Sequence, residues 1–167
     1  MQSLARLHAA SASFTERQTA PVLSAPLIST GTLTYVAPDY LRKATLSPVP
    51  EMFTLDHGEV TVTGANADGT HVFTLNQDPR IAGLVAGIRG TLAGDLPALE
   101  QYYTVSLSGS VASWQLHLLP NSPSLQRFLR VITITGSQGR IATIETDSSD
   151  GSDSRLSIQT DSVTNAP

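Results

Sequence analysis

Short runs of alternating apolar and polar residues make up most of the chain, and they constrain its fold more than any other feature. Such alternation places one kind of side chain on each face of a β-sheet. Gly, Pro, Asn and Asp residues that favour turns separate the runs at regular intervals. The predicted strands are Ser13–Thr19, Thr30–Val36, Tyr40–Leu46, Met52–Leu55, Glu59–Thr63, Thr70–Leu75, Tyr102–Ser108, Ser113–Leu119, Phe128–Thr135, Arg140–Thr146 and Ser154–Thr160. About ten to eleven short strands joined by tight turns predict an antiparallel meander.

Helical patterns interrupt the strands. Residues 1–10 predict a short N-terminal helix that Ser3 caps. In the middle of the chain, Asp78 followed by Pro79 is a good helix start, so residues 78–101 are predicted to be a helical insertion. Its apolar stripe at helical spacing consists of Ile81, Leu84, Val85, Ile88 and Leu92. The polar residues 162–167 are predicted to be a flexible tail.

The order of these elements predicts an α+β, mainly β fold. A chain of 167 residues has the usual size of one domain and can bury a sizeable core. We therefore expect a single domain, a strongly curved and half-closed antiparallel β-barrel whose open face is covered by short helices.

Composition excludes several classes of function. Charged residues make up 14% and hydrophobic residues 40% of the chain, and no long apolar run exists, so the chain is neither disordered nor membrane-spanning. A net charge of −4 argues against nucleic acid or anionic lipid as a partner. The absence of cysteine excludes disulfides, thiolate metal sites and cysteine nucleophiles. Lys43 is the only lysine, and the sequence suggests no role for it.

Motifs for catalysis or metal binding are missing. There is no nucleophile elbow, no phosphate-binding loop and no dinucleotide fingerprint. The segment from Asp147 to Asp153 does not match the ligand spacing of a calcium loop. None of the histidines has metal-ligand spacing with another; they are His8, His57, His71 and His117. We therefore predict no catalytic residue, no metal, no cofactor and no enzyme activity.

Glycines are unusually frequent in the predicted middle helix. They are Gly83, Gly87, Gly90 and Gly94. Each interior glycine destabilises a helix by about 0.5–1 kcal/mol relative to alanine. Two interpretations stay equally open: a surface helix held by its apolar stripe, or a lid that moves more easily than its surroundings. A close-packing face at Gly83 and Gly87 would resemble a motif of membrane helices.

The apolar strand positions offer more surface than the short helices can cover. Aromatic residues make up only 5% of the chain, so large side chains to fill the interior are scarce. A curved sheet lined by Val, Leu and Ile can then leave a dry cavity that takes an apolar ligand. The alternative is a filled core. The predicted ligand-binding lining is Leu33, Tyr35, Phe53, Leu55, Leu84, Val85, Ile88, Leu92, Trp114, Leu116, Leu118, Ile132, Ile134 and Ile158.

Residues 12–43 carry a family resemblance. An Ala12-Ser13-Phe14 strand is followed by a Gly31-Thr32-Leu33 strand, then by Pro38 and a further strand. This order resembles the opening of the LolA/LolB-like periplasmic lipoprotein carriers, and the final hairpin from Ile141 to Ile158 resembles theirs too. On this resemblance the chain is identified as a divergent member, with residues 1–167 as one carrier domain.

The resemblance implies a non-catalytic carrier. It would hold the acyl chains of a lipoprotein or another lipid in an apolar cavity beneath a helical lid and deliver them towards the outer membrane. It implies a monomer in the periplasm, with the signal peptide absent from this sequence. Its expected partners are an inner-membrane donor and an outer-membrane acceptor, and nucleic acid is not among them.

Two departures from the family pattern bear on the cargo. The best-known carriers have an arginine before the proline that corresponds to Pro38, and this arginine holds the lid closed; here the residue is Ala37. The extended C-terminal segment of those carriers is also missing after Asp161. A different cargo, such as an aryl-polyene or glycolipid-type product, therefore stays open. So does a non-catalytic adaptor in envelope assembly with a filled core.

Overall fold

All the strands pair into one antiparallel sheet in a computed structural model that describes residues 7–64 and 68–165. The strands are β1 Leu7–Thr19, β2 Leu27–Val36, β3 Tyr40–Ser47, β4 Glu51–Asp56, β5 Glu59–Gly64, β6 Gly69–Thr74, β7 Tyr103–Ser110, β8 Ser113–Pro120, β9 Leu129–Ser137, β10 Arg140–Ser148 and β11 Asp153–Asn165. The sheet is curved and unclosed, which confirms the predicted half-closed, mainly β fold.

Strand order explains how the two ends of the sheet face each other. The strands lie side by side in the order β6-β5-β4-β3-β2-β1-β11-β10-β9-β8-β7. Strands joined by a hairpin therefore pair with each other, and the first and last strands, β1 and β11, pair in the middle of the sheet. The free edges are β6 and β7, which are consecutive in sequence. The chain between them therefore has to cross the open side of the barrel, and two of the helices form in this crossing.

The helices occupy two connections. After a single 3₁₀ turn at Leu75–Gln77, helix α1 spans Pro79–Ala93 and helix α2 spans Leu96–Glu100. Helix α3, Pro123–Gln126, is a single turn between β8 and β9. Within residues 7–64 and 68–165, no helix combines the length and apolar character that crossing a membrane requires.

Local chemistry sets the ends of α1. Asp78 Oδ1 accepts a hydrogen bond of 3.0 Å from the Arg80 amide, which otherwise has no partner in the first turn. At the other end Gly94 adopts the left-handed conformation with φ 63° and donates its N–H back to the Gly90 and Thr91 carbonyls. This conformation is open to glycine at no steric cost, so the helix stops there.

The structure corrects the prediction at both chain ends. Residues 7–10 lie in β1, between β2 and β11, where a helix was predicted; residues 1–6 lie outside the described part. Likewise β11 continues to Asn165, where a flexible tail was predicted from residue 162. The reason is mutual: each segment supplies the hydrogen-bonding edge of the other, whereas a helix of under ten residues is marginal on its own.

Two apolar clusters form the core. One joins β7–β10 with α2 and α3 through buried Leu99, Tyr103, Leu116, Leu118, Leu125, Leu129, Ile132, Ile134, Ile141 and Ile144. The other joins β2–β5 with α1 through Tyr35, Leu41, Leu55, Val60 and Val85. Ile88 and Leu92 of α1 pack against both clusters. We call β7–β9 with α2 and α3 the filled half, and β2–β5 the hollow half.

Candidate functional site

A cavity of about 460 Å³ lies between helix α1 and one face of the sheet. This volume falls within the roughly 300–1,000 Å³ of small-molecule sites. The walls come from α1, from β1–β5 and from β10 and β11. Apolar lining residues are Ala10, Ala12, Leu33, Tyr35, Leu41, Phe53, Val62, Ile81, Leu84, Val85, Ile88, Leu92, Ile141, Ile144, Leu156 and Ile158. Polar lining residues are Glu16, Thr34, Lys43, Glu51, Arg140, Thr146, Ser154 and Thr160, and Gly139 completes the wall.

Strand register builds the hollow-half wall. Leu33 of β2 lies opposite Lys43 of β3, which lies opposite Phe53 of β4. Phe53 in turn lies opposite Val62 of β5. Directly paired residues of neighbouring strands project from the same face, so this row presents its side chains to the cavity as one band. The wall is therefore a direct consequence of the alternation in the sequence.

Helix α1 closes the cavity with its whole apolar stripe. The five residues of the predicted stripe, Ile81 to Leu92, all line the cavity. The stripe therefore covers an open space along much of its length, and it does not bury itself entirely in a packed core. A ligand in the cavity would lie directly against this face of α1.

The side of α1 opposite the apolar stripe carries Gly83, Gly87 and Gly90 and lies close to the filled half. A Cβ atom at Gly83 would lie 2.5 Å from Leu125 Cδ1, and one at Gly90 would lie 2.8 Å from Leu99 Cδ2. The Tyr103 hydroxyl also donates a hydrogen bond to the Gly83 carbonyl oxygen. The glycines thus allow close approach of the helix, the role that the sequence suggested only by analogy with membrane helices.

Eight of the predicted lining residues do line the cavity: Leu33, Tyr35, Phe53, Leu84, Val85, Ile88, Leu92 and Ile158. The other six do not, and they lie in the two packed clusters: Leu55, Trp114, Leu116, Leu118, Ile132 and Ile134. All six occupy the predicted face of the sheet. Five belong to the filled half, where they pack in one cluster with Leu99 of α2 and Leu125 of α3.

Sequence reasoning missed an ion pair in the cavity wall. Lys43 Nζ donates a hydrogen bond to Glu16 Oε2, and Gln18 Nε2 donates to Glu16 Oε1 at 2.8 Å. Glu16 is buried, with 6% of its surface exposed. Lys43 Nζ also lies 5.2 Å from the centroid of the Phe14 ring, in a cation–π contact. The alternation did hold the signal, because Glu16 and Lys43 occupy inward positions of β1 and β3.

Tyr35 lines the cavity and carries a buried hydroxyl group. The hydroxyl oxygen is buried and has no hydrogen-bond partner in the described part of the chain. Burial raises the pKa of Tyr35, Arg89 of α1 opposes the rise, and Asp39 adds to it. The phenol of Tyr35 therefore stays neutral.

Metal chemistry finds no support in the geometry. Among residues 7–64 and 68–165, no group of three His, Asp or Glu side chains is placed to hold a metal ion. What the arrangement can do is enclose an apolar molecule, with the Glu16–Lys43 ion pair at its wall.

Comparison with known proteins connects this architecture to a family. A family model described as outer membrane lipoprotein carrier protein LolA-like matches residues 1–166. Among solved structures, the LolA superfamily protein NE2245 from Nitrosomonas europaea is 11% identical, with a TM-score of 0.49, over 95% of this chain and 89% of that one. A DUF1329 family protein from Desulfovibrio piger is 8% identical, with a TM-score of 0.48, over 95% of this chain and 86% of that one.

MucB, solved in complex with MucA(peri), is similar as well. It is 14% identical with a TM-score of 0.50, and the match covers 99% of this chain but 54% of MucB. The chain thus spans about half the length of MucB. Identities this low show a shared fold alone. No curated protein matches the chain. The match of the family model over nearly the whole sequence nevertheless identifies the family: the chain belongs to the outer membrane lipoprotein carrier protein LolA-like family.

Proposed function

We propose that the protein carries an acyl chain of a lipid or lipoprotein through the periplasm towards the outer membrane, holding it in the cavity beneath α1. The observation that supports this most is the cavity itself, about 460 Å³ with mainly apolar walls and an apolar helix stripe as its cover. Burial of each CH₂ group stabilises a bound chain by about 0.8 kcal/mol. The members of the family are carriers rather than enzymes, in keeping with this role.

The acyl chain enters between α1 and the hollow half. On the other side, the glycine contacts and the hydrogen bond from Tyr103 hold α1 against the filled half. On the hollow-half side, α1 contributes apolar side chains such as Val85, whose contacts a ligand can replace. Hydrogen–deuterium exchange tests this: bound ligand should slow exchange in β3–β5 and α1, with little change in β8 and β9.

Blocking the cavity tests the carrier function. Leu33→Trp places a large side chain in the wall, and we expect the affinity for a fluorescent acyl probe to fall about tenfold or more, as for overpacked interiors. Thr32→Trp is the matched control, because Thr32 is the exposed neighbour on the other face of β2. Native mass spectrometry of protein purified from a Gram-negative host should show bound lipid in the wild type and in Thr32→Trp, and no bound lipid in Leu33→Trp. A wild-type protein that is empty and ignores added acyl probes would contradict the proposal.

An adaptor that binds a protein in the cell envelope is the second candidate. It is favoured by the likeness to MucB, which was solved in complex with MucA(peri). In its filled-core form this candidate predicts no cavity, and the space beneath α1 counts against that form. Capture of an envelope protein by both Leu33→Trp and the wild type would favour the adaptor.

A further inference from the structure

A cavity wall that only binds hydrocarbon does not need an ion pair, yet this wall contains Glu16 and Lys43. Both residues line the cavity, and both come from strands whose other inward side chains there are mainly apolar. Removing two charges from water is costly, and apolar residues of similar volume often replace such a pair without loss of stability. Fold stability is therefore a weak reason for the pair. A polar contact with a ligand is a better one.

Both carboxylate oxygens of Glu16 already accept a hydrogen bond, whereas Lys43 keeps N–H donors that Glu16 does not use. Gln18 and Lys43 occupy the two carboxylate oxygens of Glu16. An ammonium group has three N–H donors, and Glu16 takes one from Lys43. The Lys43 side chain keeps 33% of its surface exposed, whereas that of Glu16 keeps 8%. A ligand in the cavity therefore meets a hydrogen-bond donor, Lys43 Nζ, whose charge is already balanced.

The charge around Lys43 selects against an anionic ligand. Glu16 is in direct contact with Lys43, and Glu51 lines the same wall two positions before Phe53, the residue opposite Lys43. With Glu16 in contact with Lys43 and a second acidic residue, Glu51, in the same wall, a further carboxylate is disfavoured there. An uncharged carbonyl oxygen can accept from Lys43 Nζ without adding charge. Arg140 also lines the cavity, but from β10, with β11, β1 and β2 between it and Lys43 in the sheet.

We propose that Lys43, held by Glu16, binds the carbonyl group of an ester- or amide-linked acyl chain, and that the site discriminates against free fatty acids. This rests on the proposed carrier function and specifies its ligand. Lys43 lies opposite Leu33 and Phe53, so an acyl chain whose carbonyl group meets Lys43 Nζ lies against these apolar side chains, beneath α1. The cargo is then an acylated molecule, delivered with its linkage intact.

Competition binding tests this directly. N-phenyl-1-naphthylamine, a fluorescent apolar probe without a carbonyl group, is displaced by laurate, by 1-monolaurin or by N-lauroylethanolamine, which share one chain length. We expect the neutral ester and amide to bind about tenfold more tightly than laurate, because the acidic residues of the wall disfavour a further carboxylate beside Lys43. A preference for one of the two neutral compounds identifies the linkage.

Variants attribute the effect to Lys43. Lys43→Met should lower ester and amide affinity about tenfold and leave probe binding unchanged. Because this variant leaves Glu16 buried without its partner, the double variant Glu16→Gln/Lys43→Met serves as the folded control with the same expectation. Arg42→Met is the matched control and should bind all ligands like the wild type, because Arg42 is the exposed neighbour of Lys43 on the other face of β3. Arg140→Met tests whether the second cationic residue of the wall supplies the donor in place of Lys43.

The outcomes separate the two proposals. Probe binding that persists while laurate equals or exceeds the neutral ligands overturns the carbonyl site and leaves the carrier function intact. So does an unchanged ester affinity in both Lys43 variants. Loss of ester binding in Arg140→Met alone also overturns it. Absence of probe binding to the wild-type protein contradicts the carrier function itself.

Discussion

The filled and hollow halves use the same sequence pattern and reach different packing. In both, alternating strands turn a Leu-, Ile- and Val-rich face inward. In the filled half, Leu99 of α2 and Leu125 of α3 come down onto that face, and Leu118 and Ile132 have no exposed surface. The hollow half has no such helices of its own. Helix α1 spans it, held on the other side by glycine contacts, and the space beneath its stripe stays open.

The difference shows that a cavity in this fold depends on what the connections supply, more than on the sheet. A helix with large residues on both sides would pack into both halves or stand away from both. With glycine on one side, α1 approaches the filled half closely and leaves its apolar side chains for the cavity. The proposed lipid site is thus a property of the crossing between β6 and β7.

Matched truncations should separate the halves most clearly. Leu118→Ala creates a void in a packed core, and we expect a loss of about 3 kcal/mol in the free energy of unfolding. Leu33→Ala enlarges a space that already exists, so we expect a loss of about 1 kcal/mol. Urea denaturation of both variants measures the difference. Equal losses would mean that the hollow half is packed as densely as the filled half.

Gly90→Ala tests the close approach of α1. Alanine favours the helix by about 0.5–1 kcal/mol, but the new methyl group would overlap buried Leu99. Overpacking of this kind costs about 1–3 kcal/mol, so we expect a net loss of about 1 kcal/mol. Ala86→Gly, at the half-buried position between the glycines, should lose only the helix preference. A Gly90→Ala variant more stable than the wild type would show that α1 is not packed against the filled half.

Two buried tyrosine hydroxyl groups, one in each half, allow a further comparison between the filled and hollow halves. Tyr103 donates to the Gly83 carbonyl, and burial raises its pKa far above the ordinary value. Tyr103→Phe should therefore cost about 1–2 kcal/mol, since the buried carbonyl loses its donor. The Tyr35 hydroxyl has no described partner, so Tyr35→Phe should be neutral or slightly stabilising. Thermal unfolding of both variants measures this, and the opposite order would reverse our account of α1.

The smallest expected effect lies at the β4–β5 turn of the hollow half. A hydrogen bond with Asp56 raises the pKa of His57 above its ordinary value of 6.5, and the charge of Asp39 adds to this rise. The stabilisation is thus fully present below pH 6.5 and is lost as the pH rises through the folded-state pKa. NMR titration should give a raised pKa for His57 that Asp56→Asn lowers. In His57→Asn this part of the pH dependence of stability should disappear.

Much of the fold was predictable from the sequence because local rules decide it. The alternation fixed the inward faces, and Asp78, Pro79 and Gly94 set the limits of α1. The chain ends were not predictable in this way. Ala9 and Ala10 carry no strong strand preference, and they become strand because β2 and β11 offer hydrogen-bonding edges on both sides. Pairing between the two ends of a chain is invisible to a local pattern.

The alternation predicts which face of the sheet a residue occupies, but it does not predict whether that residue lines the cavity or is packed in the core. Leu33 and Leu118 follow the same alternation, yet Leu33 lines the cavity and Leu118 is fully buried. What separates them is the tertiary position of Leu99 and Leu125, which no strand pattern contains. The Glu16–Lys43 pair lay on predicted inward positions, but a search for metal and catalytic motifs does not detect two charges, on β1 and β3, that meet across the intervening strand β2.

Photo-crosslinking of an acyl ligand tests the central claim most directly. Monolaurin with a diazirine at the end of its chain is bound, irradiated and located by mass spectrometry of proteolytic peptides. We predict labels on peptides of α1, β2 and β4, which enclose the cavity, and none on β8 and β9 of the filled half. Labels on the filled half, or labelling that Leu33→Trp does not reduce, would contradict the claim that this protein holds its ligand beneath α1.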